Sequence, residues 1–315
     1  MKSGFWQSQT GGLVTLAAVM ALLPMLITSD LYFNVANNVG IRALLCLGLS
    51  LLLGFAGQIS LGHAGFFAIG AYSSALLTSR LDWPVPVALL AGAAVCALIA
   101  LIIGRSILRL RGHLLAMATL AMGSMIYIIL NQNVALFGGP DGISVKPFEV
   151  GGFRLQGGLQ WYIAICCAVL AGTWLALNLV NSPVGRALVA IKGSEVAAEV
   201  SGVDIARYKL LIFVVSAVYA SVAGSLFAHY TEFITPGEAE LLYSFEMLII
   251  VLLGGMGSIY GAIVGAAILM SLPHLLTWFH DYETLVFGLV LVFTVLFLPR
   301  GLLPTLQQRW RKRGA

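Results

Sequence analysis

Charged side chains are scarce in this chain of 315 residues, which has 17 Lys or Arg and 13 Asp or Glu. Hydrophobic residues make up 60% of it, the mean hydropathy is +0.97, and almost no charge falls within the long apolar runs. A water-soluble fold of this size could not enclose so much apolar surface, because much of any folded surface stays exposed. The shortage of charge therefore excludes an ordinary soluble protein and predicts an all-α, polytopic bundle of membrane-spanning helices.

Reactive motifs are missing as well. The sequence has no GxxxxGK(S/T) phosphate loop, no HExxH, no GxSxG and no intramembrane acid–base pair. The four cysteines lie within apolar runs without CxxC spacing, so neither a disulfide framework nor a metal site is indicated. His274, His280 and Asp281 share one loop, but their spacing is not typical of a metal site. We expect no catalytic residue, metal or cofactor in this chain, and a protein that moves a molecule without transforming it.

The apolar runs predict ten spans, since a spanning helix needs about 20 mostly apolar residues. The predicted spans are 13–29, 39–56, 60–79, 84–104, 113–131, 160–180, 210–230, 241–256, 258–272 and 284–298. Most Lys and Arg residues then fall in cytoplasmic segments if the N-terminus is cytoplasmic, whereas the outer loops hold only Arg80, Lys146 and Arg154. Both termini are therefore predicted to be cytoplasmic, and Arg42 to lie near the end of a span.

Two connections are long enough to hold structure of their own. The outer loop 132–159 carries glycine-rich turns and room for a short hairpin. The cytoplasmic stretch 181–209 begins with Ser182-Pro183, a typical helix start, and has apolar residues at helical spacing. It predicts two short amphipathic helices with a break at Gly193-Ser194 and a stop at Gly202. They could be moved by a partner protein or could lie on lipid headgroups.

Two glycine-rich segments interrupt the apolar runs. Gly257, Gly261 and Gly265 form GxxxGxxxG, which favours close helix packing. The segment 54–65 places Gln58, Ser60 and His63 among four glycines. These three residues are solvated if the segment is a surface turn, and they line a cavity if it lies at membrane depth, where non-helical backbone must be enclosed by protein or face water. We expect a real break, with some of the three facing a translocation pathway.

Glu246 is the only carboxylate well inside a predicted span. Burying such a group in lipid is costly, so it serves either as a pathway group or as a hydrogen-bonding contact between helices, unless it lies close enough to the outer surface to reach water. The basic tail 305–315 supplies most of the net charge of +4, which suits a surface next to anionic lipid and does not imply nucleic acid.

Several segments together resemble the permeases of branched-chain amino acid ABC transporters, in the LivM branch of the LivHM family. They are GFAGQISLGHAGFFAIGAY at 54–72, LRLRGHLLAMATLAMG at 108–123, GGPDGI at 138–143, the stretch 194–230, LLGGMGSIYGAIVGAAI at 252–268 and LFLPRGLLP at 296–304. The resemblance implies one permease domain over 1–315 in the bacterial inner membrane. It also implies a homologous second permease of the LivH type, two cytoplasmic ATPase subunits that bind ATP and Mg, and a periplasmic solute-binding protein.

The resemblance identifies 181–209 as the coupling loop that contacts the ATPases. Glu195, Ala197, Ala198, Glu199 and Gly202 then stand where an EAA-like motif makes that contact. The familiar motif has a contiguous Glu-Ala-Ala followed four positions later by Gly, whereas here Val196 interrupts one possible match and Val200 the other.

Two questions stay open at the level of sequence. An ion-coupled secondary transporter is the alternative function, although such carriers usually place ionisable residues near mid-membrane and this chain offers one Glu. Branched-chain amino acids are the default solutes, but similar permeases move other amino acids, urea, short amides and small aromatic acids.

Overall fold

The computed structural model describes residues 3–26, 29–110, 112–150 and 152–275, together with 288, 289, 292, 301–303 and 305. Most of the predicted tenth span 284–298, the tail beyond 305, and the loop with His280 and Asp281 lie outside the described residues.

Helices occupy all nine predicted spans that fall before residue 276. The long helices are α1 (Ser3–Leu26), α2 (Asp30–Ser50), α3 (His63–Leu81), α4 (Val85–Ile107), α5 (His113–Gln132), α7 (Gly158–Asn181), α10 (Ile205–Thr231), α11 (Leu241–Gly254) and α12 (Ile259–Leu275). The shorter ones are α6 (Val134–Phe137), α8 (Pro183–Gly193) and α9 (Glu195–Val200), and a π-helical turn, Leu51–Phe55, extends α2. The described part of the chain is therefore a helical bundle, as the sequence predicted.

Among the described residues, fewer helices are long and apolar enough to span a membrane than the sequence predicted. Five helices are long and apolar enough to cross a membrane alone: Asp30–Phe55, Val85–Ile107, His113–Gln132, Gly158–Asn181 and Ile205–Thr231. The pair α11 and α12 makes up to a sixth, but its two axes meet at 118°. With 14 and 17 residues, each of these two helices is shorter than the about 20 residues that a span requires. Ten separate spans are not confirmed.

The second helix begins nine residues earlier than predicted, at Asp30 in place of residue 39. The polar residues of this stretch have partners on other helices: Asn37 donates to the Gly158 carbonyl at 3.2 Å, and Asn34 accepts from the Tyr230 hydroxyl. Arg42 consequently lies well inside α2, and its placement near the end of a span was wrong.

The loops between the long helices gather at two ends of the bundle. The basic end comprises residues 105–112 and 181–209, which together border one cleft. The acidic end comprises 80–84, 132–157 and 231–240, where Lys146 pairs with Asp82 and Arg154 with Glu232.

Two short antiparallel strand pairs order the acidic end. Strand β1 (Ile143–Ser144) pairs with β4 (Phe233–Ile234), and β2 (Glu149–Val150) pairs with β3 (Phe153–Arg154). The second pair is the short hairpin expected within 132–159. The first pair attaches this loop to the end of α10.

Helices α3 and α10 form the centre of the bundle and run side by side in the same direction, since His63 contacts Ser216 and Ser74 contacts His229. Their backbones approach closely at glycines. A Cβ added at Gly70 would lie 2.2 Å from the Ser221 carbonyl oxygen. Small residues permit this approach where larger side chains would separate the helices.

Replacing Gly70 by Ala should therefore destabilise the protein. Ala normally stabilises a helix relative to Gly, but here its methyl group overlaps the Ser221 backbone and forces α3 away from α10, at a cost of about 1–3 kcal/mol. Thermal unfolding in detergent should show a lower midpoint for Gly70→Ala. Gly193→Ala is the matched control, because nothing lies within 4 Å of the added Cβ; equal midpoints for both variants would contradict the close packing.

Candidate functional site

The helical path is broken over residues 56–62, between the π-helical turn and α3. Gly57 has φ of +67°, in the left-handed region that favours glycine, so the chain can turn out of the helix there. The side chains of Gln58, Ser60 and His63 are all about 98% enclosed or more. They are therefore not the solvated residues of a surface turn. The break that the sequence predicted is real, and its polar side chains point into the protein.

His63 organises this polar cluster from the first position of α3. Its Nδ1 lies 2.9 Å from the Ser60 Oγ, and its Nε2 lies 2.5 Å from the Ser216 Oγ of α10. Ser216 is 11 residues from the start of α10, which corresponds to about 16 Å along the helix. The cluster is thus level with the apolar interior of α10 and well away from its end.

Neighbouring helices supply the hydrogen bonds that the break leaves unmade. Thr119 of α5 accepts from the Leu61 N–H at 3.1 Å, and Ser244 of α11 accepts from the Ala64 N–H at 3.2 Å. The first N–H groups of a helix have no partner within it, so these hydroxyls do the work of a cap. Thr119, Ser216 and Ser244 were missed by sequence reasoning; an isolated hydroxyl within an apolar run was the available signal.

Gln58 differs from its neighbours because neither its Nε2 nor its Oε1 has a hydrogen-bond partner among the described residues. Only 2% of the residue is exposed. An enclosed amide without partners is costly, and such groups are uncommon in folded proteins. Its two donors and its acceptor can bind a polar molecule that enters the break.

Glu246 forms an ion pair with Arg42, whose guanidinium lies 2.9 Å from the carboxylate and 3.8 Å above the Tyr243 ring. The two charged side chains are 15% and 16% exposed, and they join α2 to α11. Of the two roles inferred for Glu246, this geometry favours the contact between helices. At the entrance to α11, burial raises the pKa of the Glu238 carboxyl, while the Arg42 charge opposes that shift.

The predicted packing glycines lie at the bend between α11 and α12. Added Cβ atoms at Gly261 and Gly265 would lie 2.6 Å from the Gly254 oxygen and 2.2 Å from the Ile250 oxygen, so both glycines pack α12 on α11. Gly257 lies in the break itself, with φ of +84°.

The basic end carries the two short helices expected within 181–209. Ser182 caps α8 by accepting from the Val184 N–H, and Ser194 caps α9 by accepting from the Ala197 N–H. Gly202, with φ of +82°, ends α9. The predicted break at 193–194 and stop at 202 are confirmed.

The EAA-like residues divide between two faces of α9. Ala198 is buried, and Glu195 forms an ion pair of 2.5 Å with the buried Lys209 of α10. Ala197, Glu199 and Gly202 are exposed. Val196 and Val200 are also exposed, at 67% and 85%. A cleft of about 1140 Å³ separates α9 from Arg105 and Arg109 at the end of α4.

Comparison with known proteins places this geometry in context. Residues 31–295 match the family described as the branched-chain amino acid transport system permease component. The chain is 32% identical to the high-affinity branched-chain amino acid transport system permease protein LivM of Escherichia coli K12. The alignment has 332 positions and covers 96% of this chain and 77% of the relative. No solved structure matches it.

More distant relatives include two other permeases. Ribose import permease protein RbsC of Haemophilus influenzae is 25% identical over 298 residues, covering 90% of both chains. Permease protein LivH of Salmonella typhimurium is 27% identical over 299 residues, covering 86% of this chain and 94% of the relative. The family match covers most of the helical bundle, including the break and the two short helices of the basic end. The chain therefore belongs to the family of branched-chain amino acid transport system permease components.

Proposed function

We propose that this permease moves branched-chain amino acids across the bacterial inner membrane within a binding-protein-dependent ABC importer. The observation that carries the proposal is the basic end, where two capped helices present an exposed face on a chain without its own phosphate-binding loop. ATP and Mg are then bound by two partner ATPases, and a periplasmic binding protein delivers the solute. A LivH-type permease completes the pathway, which accords with the similarity of this chain to both LivM and LivH.

The exposed face of α9 is the proposed ATPase contact. Val196 and Val200 stand one helical turn apart and are largely solvent-exposed, with Glu199 beside them. Exposed apolar side chains next to a charge are typical of a docking surface. One helical turn before Glu199, the Glu195–Lys209 pair connects α9 to α10. A displacement of α9 would therefore be passed to α10 and, through the chain, to α7.

The proposed pathway includes Gln58, Ser60 and His63, and it includes Glu246 only if that carboxylate has a role beyond its ion pair with Arg42. Ser60 and His63 are hydrogen-bonded to each other inside the bundle, and Gln58 is enclosed with its donors and acceptor unused. A small polar solute with amino and carboxylate groups can use such donors and acceptors, as solutes do at broken helices of other transporters. Because the cluster is enclosed here, α3, α10 or α11 must move before a solute can reach it.

Reconstitution in sealed vesicles tests the function directly. We expect radiolabelled leucine to accumulate only when the sister permease, both ATPases, the binding protein and ATP are present. Uptake by this chain alone, driven by a proton or sodium gradient, would instead establish the secondary-transporter alternative.

Replacing Glu199 by Lys should disrupt ATPase docking. The reversed charge beside Val196 and Val200 should lower co-purification of the ATPases and leucine uptake by about tenfold, equivalent to about 1.4 kcal/mol. Asp141→Lys, which makes the same charge change at an exposed residue of the acidic end, should leave ATPase co-purification unchanged. Normal co-purification and uptake with Glu199→Lys would exclude this face as the contact.

Charge reversal separates the two roles of Glu246. Arg42→Glu or Glu246→Arg alone leaves like charges side by side and should lower stability by about 3–5 kcal/mol, whereas the double variant restores an ion pair. Thermal unfolding should show this rescue. If the pair only joins α2 to α11, leucine uptake should recover with stability; recovered stability without uptake would assign Glu246 or Arg42 to the pathway.

A further inference from the structure

The two breaks in the helical path have related sequences. Residues 51–59 read LLLGFAGQI and residues 251–259 read VLLGGMGSI, so five of the nine positions are identical. In both segments Leu-Leu-Gly lies at or next to the end of a helix, which is Phe55 in the first and Gly254 in the second. The glycine three positions after Leu-Leu-Gly has a positive φ in both, +67° at Gly57 and +84° at Gly257. Related local sequences thus end a helix at two places 200 residues apart.

These two breaks meet in space. A Cβ at Gly54 would lie 2.3 Å from the backbone nitrogen of Gly257, and a Cβ at Gly257 would lie 3.3 Å from the Gly54 oxygen. The two backbones are therefore in direct contact, with no side chain between them. We name this contact the hinge junction: residues 54–57, which join the π-helical turn to the first break, and residues 255–258 of the second break. A shift of one backbone here must displace the other.

Lys192, in the last turn of α8, reaches the hinge junction. Its Nζ donates to the Gly54 carbonyl at 2.6 Å, and its Cγ lies 3.2 Å from the position that a Cβ on Gly57 would take. Gly54 belongs to the final turn of the π-helical extension, where carbonyls lack partners within the helix. A cation is a favourable partner for such a carbonyl, because the C-terminal end of a helix carries partial negative charge.

We propose that Lys192 is a positioning residue that transmits movement of α8 to the hinge junction, and through it to the segment carrying Gln58, Ser60 and His63. This inference rests on the proposed function, since it needs an ATPase to move the basic end. The contact between Lys192 and Gly54 joins two segments that are 138 residues apart in the sequence. Movement of α8 can therefore reach the break through this contact as well as along the chain, through α7 and α10.

The hinge junction is suited to two arrangements. A π-helical turn contains one residue more than the α-helix would, so its carbonyls can change partners with a small movement of the chain. The Lys192 ammonium holds the Gly54 carbonyl in one of these arrangements. Withdrawing α8 releases that carbonyl, and the contact with Gly257 passes the change to α11 and α12. Movement of α8 therefore changes the position of the 56–62 segment relative to α10.

Lys192→Met removes the ammonium but keeps most of the side chain that covers Gly57, so it isolates the hydrogen bond. The variant is co-expressed with the ATPases and sister permease of its own transporter, the binding protein of that transporter is added, and leucine uptake and ATP hydrolysis are measured in the same vesicles. We expect normal assembly and hydrolysis, with leucine transported per ATP reduced about tenfold, because a charge-assisted bond no longer couples the two movements. Lys192→Arg keeps a cationic donor and should restore most of the ratio.

Arg80→Met is the matched control, because Arg80 also donates from a cation to backbone carbonyls, those of Ala135 and Leu136, but at the acidic end. Its ratio of transport to hydrolysis should equal that of the wild type. A wild-type ratio in Lys192→Met, a proportional fall of uptake and hydrolysis, or loss of assembly would each overturn the inference. Absence of ATP-driven uptake in the wild type would instead refute the proposed function, and it is measured before any variant.

Discussion

Backbone that leaves helical geometry inside an apolar bundle has to find its hydrogen bonds within the protein, because lipid offers none. At the break and the first turn of α3, Thr119 and Ser244 accept from the backbone N–H groups of Leu61 and Ala64, and the Ser216 hydroxyl contacts the His63 ring. His63 uses both ring nitrogens in the same network. The position of α3, and hence the centre of the bundle, depends on these few bonds. The same requirement accords with the enclosure of Gln58, Ser60 and His63, and in the pathway that we propose a solute reaches them only after helices move.

Glycines also stabilise the packing of the bundle, because they have no side chain and let helix backbones come into direct contact. Gly70 allows α3 to approach α10, Gly261 and Gly265 allow α12 to fold back on α11, and Gly54 meets Gly257 at the hinge junction. Without side chains between them, these segments cannot shift independently. At these contacts α11 and α12 are short and meet at a sharp bend, so they are not two ordinary spans.

The two ends of the bundle differ in how they are held. At the acidic end, strand pairing and the ion pairs Lys146–Asp82 and Arg154–Glu232 attach the long loop to its neighbours. At the basic end, α9 exposes apolar side chains and is attached through Glu195–Lys209, while α8 reaches the interior through Lys192. This asymmetry suits the proposed drive from one side, because the face that we propose as the ATPase contact is connected by single polar contacts to the segments that we propose to move.

The sequence by itself determined the helical bundle, a break within 54–65, and the two short helices with their break at Gly193-Ser194 and stop at Gly202. These features follow from apolar runs, caps and turn residues, whose effects extend over about one helical turn. Only the tertiary structure decided the early start of α2, the 118° bend between α11 and α12, the Arg42–Glu246 pair and the reach of Lys192 to Gly54. Arg42 and Glu246 are 204 residues apart, and Lys192 and Gly54 are 138 apart. No local pattern specifies which distant group satisfies a buried charge or carbonyl, because that choice depends on how the helices pack.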